Sequence, residues 1–154
     1  MARAAIGLGA NLGDAAASVS HALEKLAALG TVVARSSLYR ARPWGELDQP
    51  DFVNAVALVE TTLAPRALLT ALKALEGELG RVPTYRWGPR AIDLDLLTYG
   101  DLALDEPGLT VPHPRLLERA FVLGPLAEID PAFRPAFERL SLEERQGVHR
   151  LGDG

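Results

Sequence analysis

The part of the chain that decides both fold and chemistry reads Arg86-Trp87-Gly88-Pro89-Arg90-Ala91-Ile92-Asp93-Leu94-Asp95-Leu96-Leu97. Its first half predicts a loop, because a helix does not continue through Trp-Gly-Pro and the residue before a proline favours extended backbone. Its second half predicts a strand, in which successive side chains point to opposite faces. Ile92, Leu94 and Leu96 then share one face. Asp93 and Asp95 share the other.

The two aspartates and the arginines before them indicate a metal-assisted phosphate site. Asp93 and Asp95 would have their Cβ atoms roughly 6.5–7 Å apart, a spacing from which both carboxylates can bind metal ions. Arg86 and Arg90 precede them, and guanidinium groups can bind phosphate oxygens with two parallel hydrogen bonds. The alternative is that the pair is only the solvated polar face of a half-exposed strand.

The composition is that of a globular domain. The chain has 154 residues, 48% hydrophobic and 23% charged, so one domain covering residues 1–154 is expected. A net charge of −4 argues against nucleic acid as the main partner. No apolar run approaches the roughly 20 residues of a membrane span, and no signal-peptide pattern is present. Cysteine is absent, which excludes disulfides and thiolate metal sites. We expect a cytoplasmic monomer.

Hydrophobic periodicity and turn residues predict the element order β-α-β-β-α-β, followed by a C-terminal β-excursion and short helices. The main strands are expected at 3–9, 31–39, 52–60 and about 92–97, and the main helices at about 15–29 and 65–80. Shorter elements are expected as strands at 102–104 and 109–111, a helix near 124–129 and a capped helix after Ser141, with a disordered tail from about 150. This order indicates an α+β, ferredoxin-like sheet with helices on one face.

The glycines after the first strand have a different spacing from a dinucleotide-binding fingerprint. The stretch Gly7-Leu8-Gly9-Ala10-Asn11-Leu12-Gly13 follows G-x-G-x-x-x-G rather than G-x-G-x-x-G. It favours a tight strand-to-helix turn in which Asp14 caps the helix. The long stretch 40–51 predicts either a binding loop or an ordinary surface loop.

Three single residues have a structural and a functional interpretation. Asn54 interrupts an apolar strand, so its amide bonds either the backbone or a heterocyclic ligand next to Phe52. Glu76 lies near a helix C-terminus, where acids are disfavoured, and either serves a ligand or belongs to a solvated face. His113 stands between two prolines and either donates to a phosphate or caps a helix.

Four motifs, in this order and spacing, resemble the 6-hydroxymethyl-7,8-dihydropterin pyrophosphokinase family. They are Gly9-Ala10-Asn11-Leu12-Gly13, Asp48-Gln49-Pro50-Asp51-Phe52-Val53-Asn54, the stretch 86–95, and Val111-Pro112-His113-Pro114-Arg115. The resemblance runs from about Ile6 to about Ile129. It implies a folate-biosynthesis enzyme that transfers pyrophosphate from ATP to the hydroxymethyl group of 6-hydroxymethyl-7,8-dihydropterin and releases AMP.

The same resemblance implies a role for each matching residue. Asp93 and Asp95 would hold two Mg²⁺ ions, and they form the catalytic group together with Arg81 and Arg90. The implied ATP contacts are Glu76, Arg81, Trp87, Arg90, Ile92, Thr110, His113 and Arg119. The implied pterin contacts are Pro43, Trp44, Gly45, Phe52, Asn54 and Phe121.

Two departures from the family pattern concern loops rather than metal ligands. Pro83 stands where many members carry another arginine, and Trp44 stands where smaller apolar residues are common. Neither departure removes a metal ligand, so activity is still expected. Two rival interpretations stay open on other grounds. A two-metal nucleotidyltransferase would release pyrophosphate instead of AMP, and a non-catalytic ferredoxin-like binding module would not turn over ATP.

Overall fold

The structure is a computed structural model that describes residues 1–11, 14–41, 51–79 and 92–151. Its strands are β1 (Ala2–Ala10), β2 (Thr31–Arg35), β3 (Tyr39–Ala41), β4 (Phe52–Thr61), β5 (Asp93–Tyr99), β6 (Leu104–Glu106), β7 (Leu109–Val111) and β8 (Val148–Arg150). Its helices are α1 (Ala15–Lys25), α2 (Pro65–Glu78), α3 (Ala120–Ile129), α4 (Arg134–Glu138) and α5 (Leu142–Gln146). Short 3₁₀ turns cover Leu26–Ala28, Leu116–Glu118 and Pro131–Phe133.

Six strands form one antiparallel sheet in the order β5-β1-β4-β3-β8, with β2 also paired to β4. The two longest strands, β1 and β4, lie side by side in its centre, from the Ala2–Thr61 pair to the Ala10–Val53 pair. Strands β6 and β7 form a separate hairpin. The predicted α+β class and ferredoxin-like element order are confirmed.

The strand predicted at 31–39 is divided into β2 and β3 by Ser36. The backbone N–H of Ser36 donates to the carbonyl of Val56 over 2.8 Å. The N–H of Val56 in turn donates to the Ser36 side-chain oxygen over 2.9 Å. A side chain therefore replaces a backbone acceptor at this point, and the regular ladder stops.

The sheet is apolar on both faces. On one face, α1 and α2 cover the core residues of β4, Val53, Ala55, Ala57 and Val59. On the opposite face, α3 covers a second cluster that includes Val56, Leu58 and Leu97. The two-residue period of β4 predicted these faces correctly. The expectation that the helices lie on one face holds for α1 and α2, and α3 of the C-terminal part covers the second apolar row on the opposite face.

The ends of the first helix follow the predicted chemistry. Asp14 caps α1 by accepting a hydrogen bond from the Ala17 backbone N–H over 3.1 Å. The helix ends at Lys25 and continues as a 3₁₀ turn to Ala28. Gly30 follows, where a Cβ would collide with the backbone carbonyl of Glu60. Glycine is therefore required there by a close approach to β4.

The C-terminal part differs most from the prediction. Helix α3 begins at Ala120 rather than near 124, because the Arg119 carbonyl already accepts from the N–H groups of Val122 and Leu123, and Pro125 lies inside the helix. The first excursion strand runs from Leu104 to Glu106 rather than over 102–104. The tail expected to be disordered from about 150 is ordered at Arg150, within β8. It is also ordered at Leu151, whose N–H donates to Leu38 over 2.8 Å. In the described ranges no helix has the length and hydrophobicity to span a membrane.

Candidate active site

One row of residues crosses the sheet and joins the two halves of the candidate site. Asp93 of β5 lies opposite Gly9 of β1, and Gly9 lies opposite Asn54 of β4. Directly opposed residues point to the same face, so Asp93 and Asn54 share a face. Two strand spacings separate them, which is about 10 Å. Asp95 lies on the same face, opposite Gly7.

Glycine at position 9 makes room for the amide of Asn54. A Cβ there would lie 2.8 Å from the Asn54 side-chain oxygen, so the amide leans over the bare backbone of β1. Asn54 is 7% exposed. Its side-chain nitrogen is buried and has no hydrogen-bond partner among the described residues. A buried donor without a partner is costly, so a ligand acceptor is the natural partner for this amide.

Two predicted aromatic walls lie on the same face of the sheet as Asn54. Phe52 is half-buried and precedes Asn54 by two residues on β4, so it projects from the same face. Phe121, in the first turn of α3, packs against the second core cluster on that face. The Arg119 guanidinium carbon lies 5.5 Å from the centre of the Phe121 ring, within the range of a cation–π contact.

A cavity of about 260 Å³ opens on the outer side of β5. It brings Asp95 together with the predicted ATP contacts Thr110 and His113. It is also lined by Lys73 and Leu96, which were not predicted. The cavity therefore joins one of the two acids to groups that can donate hydrogen bonds to phosphates or hydroxyls.

Lys73 and Glu76, both on α2, hold the backbone between the two acids. The Lys73 ammonium donates to the carbonyl of Leu94 over 3.0 Å and to the Glu76 carboxylate over 3.2 Å. The N–H of Leu94 donates to the same Glu76 carboxylate over 3.4 Å. Strand β5 is an edge strand, and these side chains occupy the hydrogen-bonding groups that it would otherwise leave unpaired. The ammonium also lies 3.9 Å from Asp95.

Glu76 is 1% exposed, which excludes the interpretation that it belongs to a solvated face. The sequence left its role open between a ligand contact and a surface position. Its partners include Lys73 and the backbone of Leu94. A direct contact between Glu76 and ATP stays a prediction.

His113 is held as a neutral hydrogen-bond donor. Its backbone N–H donates to Leu97 over 2.7 Å, which ties the turn to β5. Burial lowers the pKa of His113, and the cations Arg119 and Arg115 lower it further, while Asp95 opposes them. The ring Nδ1 accepts from the N–H of Arg115 over 3.2 Å, so the proton of the neutral ring is on Nε2.

Arg119 is a partly buried cation next to this histidine. Burial lowers its pKa, and Asp95 acts in the opposite direction. The guanidinium remains charged at neutral pH, because arginine is not deprotonated in proteins. Asp95 thus acts electrostatically on both His113 and Arg119.

The acid pair suits Mg²⁺ that arrives with a phosphorylated substrate. In the described ranges, no group of three or more His, Cys, Asp or Glu side chains could hold a metal ion by itself. Mg²⁺ typically takes one or two protein carboxylates and completes its shell with water and substrate phosphates. Asp93 is half-buried and the side chain of Asp95 is 48% exposed, so both residues are partly accessible to solvent. The residues therefore fit this ion.

Several predicted site residues lie outside the described residues. They are Pro43, Trp44, Gly45, Arg81, Trp87 and Arg90, together with the departure at Pro83. Among the described residues, Ile92 is 1% exposed within the core, so its predicted ATP contact would have to be made by its backbone, and it stays a prediction. Leu96 lines the cavity.

The sequence did carry a signal for the missed residue Lys73. It precedes Glu76 by three residues, a spacing that puts both side chains on one helix face. It is also one of only two lysines in the chain, the other being Lys25. An i, i+3 pair of opposite charges is common on solvated helix faces. The spacing alone therefore does not distinguish a site residue from an ordinary surface ion pair.

The fold and the site together define a ferredoxin-like α+β protein in which an acid pair lies on the same sheet face as a buried amide, and in which one of these acids shares a cavity with a histidine. The chain belongs to the 7,8-dihydro-6-hydroxymethylpterin-pyrophosphokinase family, whose model matches residues 5–131.

Similar proteins agree with this membership. The chain is 50% identical over 133 residues to the 2-amino-4-hydroxy-6-hydroxymethyldihydropteridine pyrophosphokinase of Methylorubrum extorquens, covering 85% of this chain and 84% of that protein. It is 48% identical over 134 residues to the protein of that name from Pseudomonas aeruginosa, covering 86% and 83%. A Plasmodium falciparum HPPK-DHPS structure with pterin and p-hydroxybenzoate superposes with a TM-score of 0.77 at 15% identity, over 97% of this chain. The match spans 46% of that longer chain.

Proposed function

We propose that this chain transfers the pyrophosphoryl group of ATP to the hydroxymethyl group of 6-hydroxymethyl-7,8-dihydropterin and releases AMP, as an enzyme of folate biosynthesis. The family match supports the reaction. The observation that carries the proposal is the row Asp93–Gly9–Asn54. It sets an acid on the same face as a buried amide whose nitrogen has no hydrogen-bond partner in the described part of the chain, about 10 Å away across the sheet.

Asp93 and Asp95 are the proposed ligands of Mg²⁺, with two ions in the complete site. The bound metal supplies charge neutralisation on the phosphates and a lower pKa for a coordinated hydroxyl. The two carboxylates project from a strand whose backbone is fixed between β1 and α2. They therefore keep their positions when the substrate binds, and such preorganisation is the main contribution a protein makes to phosphoryl transfer.

Around the nucleotide, the described residues supply donors without adding another negative charge. His113 presents the Nε2–H of a neutral ring, and Arg119 presents a guanidinium. Thr110 lies in the same cavity. Arg81, Arg90 and Trp87 are proposed to complete the ATP contacts from the segment that lies outside the described residues.

The pterin is proposed to lie over Gly9, between β4 and the start of α3. The Asn54 side-chain nitrogen donates to an acceptor on the edge of the ring, and Phe52 and Phe121 flank it. A flat heterocycle suits this pocket because aromatic rings bind it by stacking while the amide fixes its orientation. Pro43, Trp44 and Gly45 are proposed to close over it.

The test is incubation with ATP, Mg²⁺ and the dihydropterin, followed by identification of the nucleotide product. AMP supports the proposal, ADP indicates a simple kinase, and release of pyrophosphate indicates a nucleotidyltransferase. The variant Asp95→Asn should keep the fold and lower the turnover by about 100-fold or more. Asp101→Asn, in an exposed turn, is the matched control and should retain activity. Native AMP release by Asp95→Asn would contradict the proposal.

The cytoplasmic location and the monomeric state remain predictions. Sedimentation of the purified chain tests the second of them directly.

A further inference from the structure

Lys73 is a cation that lies close to Asp95, one of the two proposed metal ligands. Its ammonium is 3.9 Å from Asp95 and also lines the cavity shared with Thr110 and His113. The other lysine of the chain, Lys25, lies exposed at the end of α1. All the remaining basic side chains except histidine are arginines.

The position of this ammonium is fixed by groups other than Asp95. It donates to the Leu94 carbonyl over 3.0 Å and to the Glu76 carboxylate over 3.2 Å and 3.4 Å. Glu76 is 1% exposed and also accepts from the Leu94 N–H. A buried carboxylate needs a compensating charge, so the ammonium is retained at this place. An exposed Lys–Asp pair alone would contribute little.

We propose that Lys73 is a charge-balancing residue for Asp95 that disfavours the binding of a free divalent cation and favours the binding of the cation together with the ATP phosphates. This proposal rests on the proposed role of Asp93 and Asp95 as metal ligands.

The physical reason is that the free divalent cation and its complex with ATP carry net charges of opposite sign. A fixed positive charge repels a bare Mg²⁺ ion near Asp95, but it attracts the negatively charged magnesium–nucleotide complex. A compact ammonium suits this task, because it fits between the Leu94 carbonyl and two carboxylates as a point charge. Removing the charge should therefore strengthen binding of the metal alone and weaken binding of the metal–nucleotide complex, each by about three- to tenfold at moderate ionic strength.

The experiment compares Lys73→Gln, which keeps hydrogen-bond donors but loses the charge, with Lys73→Arg, which keeps the charge. Lys25→Met is the matched control for loss of a lysine far from the site. Calorimetry gives the affinity for Mn²⁺ alone and for the Mg²⁺ complex of α,β-methylene-ATP. This analogue resists the reaction because the bridge between its α- and β-phosphorus atoms cannot be cleaved by substitution at the β-phosphorus. Thermal unfolding confirms that each variant is folded.

The small number of lysines provides a second measurement that does not depend on activity. Protein labelled with ¹⁵N-lysine has two side-chain ammonium signals, from Lys25 and Lys73. Paramagnetic Mn²⁺ should broaden the signal of Lys73 and leave that of Lys25 sharp.

The two affinities separate this proposal from a purely structural role. A structural role of Lys73 predicts that Lys73→Gln weakens both ligands, whereas charge balancing predicts changes of opposite sign and a native pattern in Lys73→Arg. Unchanged affinities in a folded Lys73→Gln variant would overturn the proposal while leaving the proposed function intact. If Asp95→Asn binds the metal–nucleotide complex with native affinity, the proposed metal site itself fails, and the proposal fails with it.

Discussion

Replacing Gly9 with alanine tests the idea that bare β1 backbone and the Asn54 amide form the pterin pocket. A Cβ at position 9 would lie 2.8 Å from the Asn54 side-chain oxygen, whereas ordinary contacts begin at 3.4 Å, so the amide has to retreat by about 0.6 Å. Gly9 is not among the described glycines with a positive φ angle. The new methyl group therefore acts by contact and not through backbone strain.

The magnitude follows from the burial of Asn54. Its side chain is 7% exposed, so it has little space into which to move. A displaced amide loses its hydrogen bond to the ring, which costs about 1–3 kcal/mol and weakens pterin binding by about 5- to 150-fold. Overpacking should also lower the free energy of unfolding by about 1–3 kcal/mol.

The assay is calorimetry of the dihydropterin in the presence of Mg²⁺ and α,β-methylene-ATP, with a separate titration of the nucleotide. Pterin affinity should fall while nucleotide affinity stays near the native value. Gly77→Ala in α2 is the matched control, because a Cβ there meets nothing within 4 Å. It should raise the stability by about 1 kcal/mol and leave pterin binding unchanged. Native pterin affinity in a folded Gly9→Ala protein would refute the assignment of Asn54.

Three further predictions address pH dependence and packing. Hydrogen bonds from Ser37 and Tyr39 outweigh burial and lower the pKa of Glu128 below 4.5, so the stability it contributes is complete above that pH and lost as the pH falls through the lower, folded-state pKa. Glu128→Gln should flatten this acid limb of the unfolding curve, and an unchanged limb would contradict the assignment. The ring of His113 should titrate below 6.5 by NMR, and lower still in Asp95→Asn, because Asp95 raises its pKa; an upward shift in that variant would be inconsistent with this geometry. Leu126→Ala, at a fully buried position, should cost about 2–5 kcal/mol in urea unfolding, and a smaller loss would mean that the α3 face is loosely packed.

The elements with strong periodicity could be predicted from the sequence. The alternation in β4 assigned each side chain to the correct face, and the same rule paired Asp93 with Asp95 on one face of β5. Asn54 was recognised because an amide in an apolar row breaks the pattern. These features are local, so a short stretch of sequence contains the information that determines them.

The features that were missed depend on contacts between distant parts of the chain. Strand β8 has three residues and exists because β3 pairs with it, while Arg150 donates to Ser37 over 2.8 Å. Ile92 and Leu96 look equivalent in the alternation, but Leu96 lines the cavity together with residues of α2 and of the β6–β7 hairpin, which are distant in the sequence. Lys73 likewise acquires its role from β5, a different part of the sequence.

Strand β1 explains how one short glycine pattern serves both the core and the site. Ile6 and Leu8 point into the first core cluster, whereas Gly7 and Gly9 point to the opposite face. On that face they lie opposite Asp95 and Asp93 on one side, and Gly9 lies opposite Asn54 on the other. A side chain at position 9 would fill the gap between the acid pair and the amide, as its contact with Asn54 indicates. Gly9 is thus accounted for without a dinucleotide: it keeps the floor between the proposed phosphate and pterin subsites free of a side chain, whereas the backbone of Gly7 is covered by the side chain of Leu97.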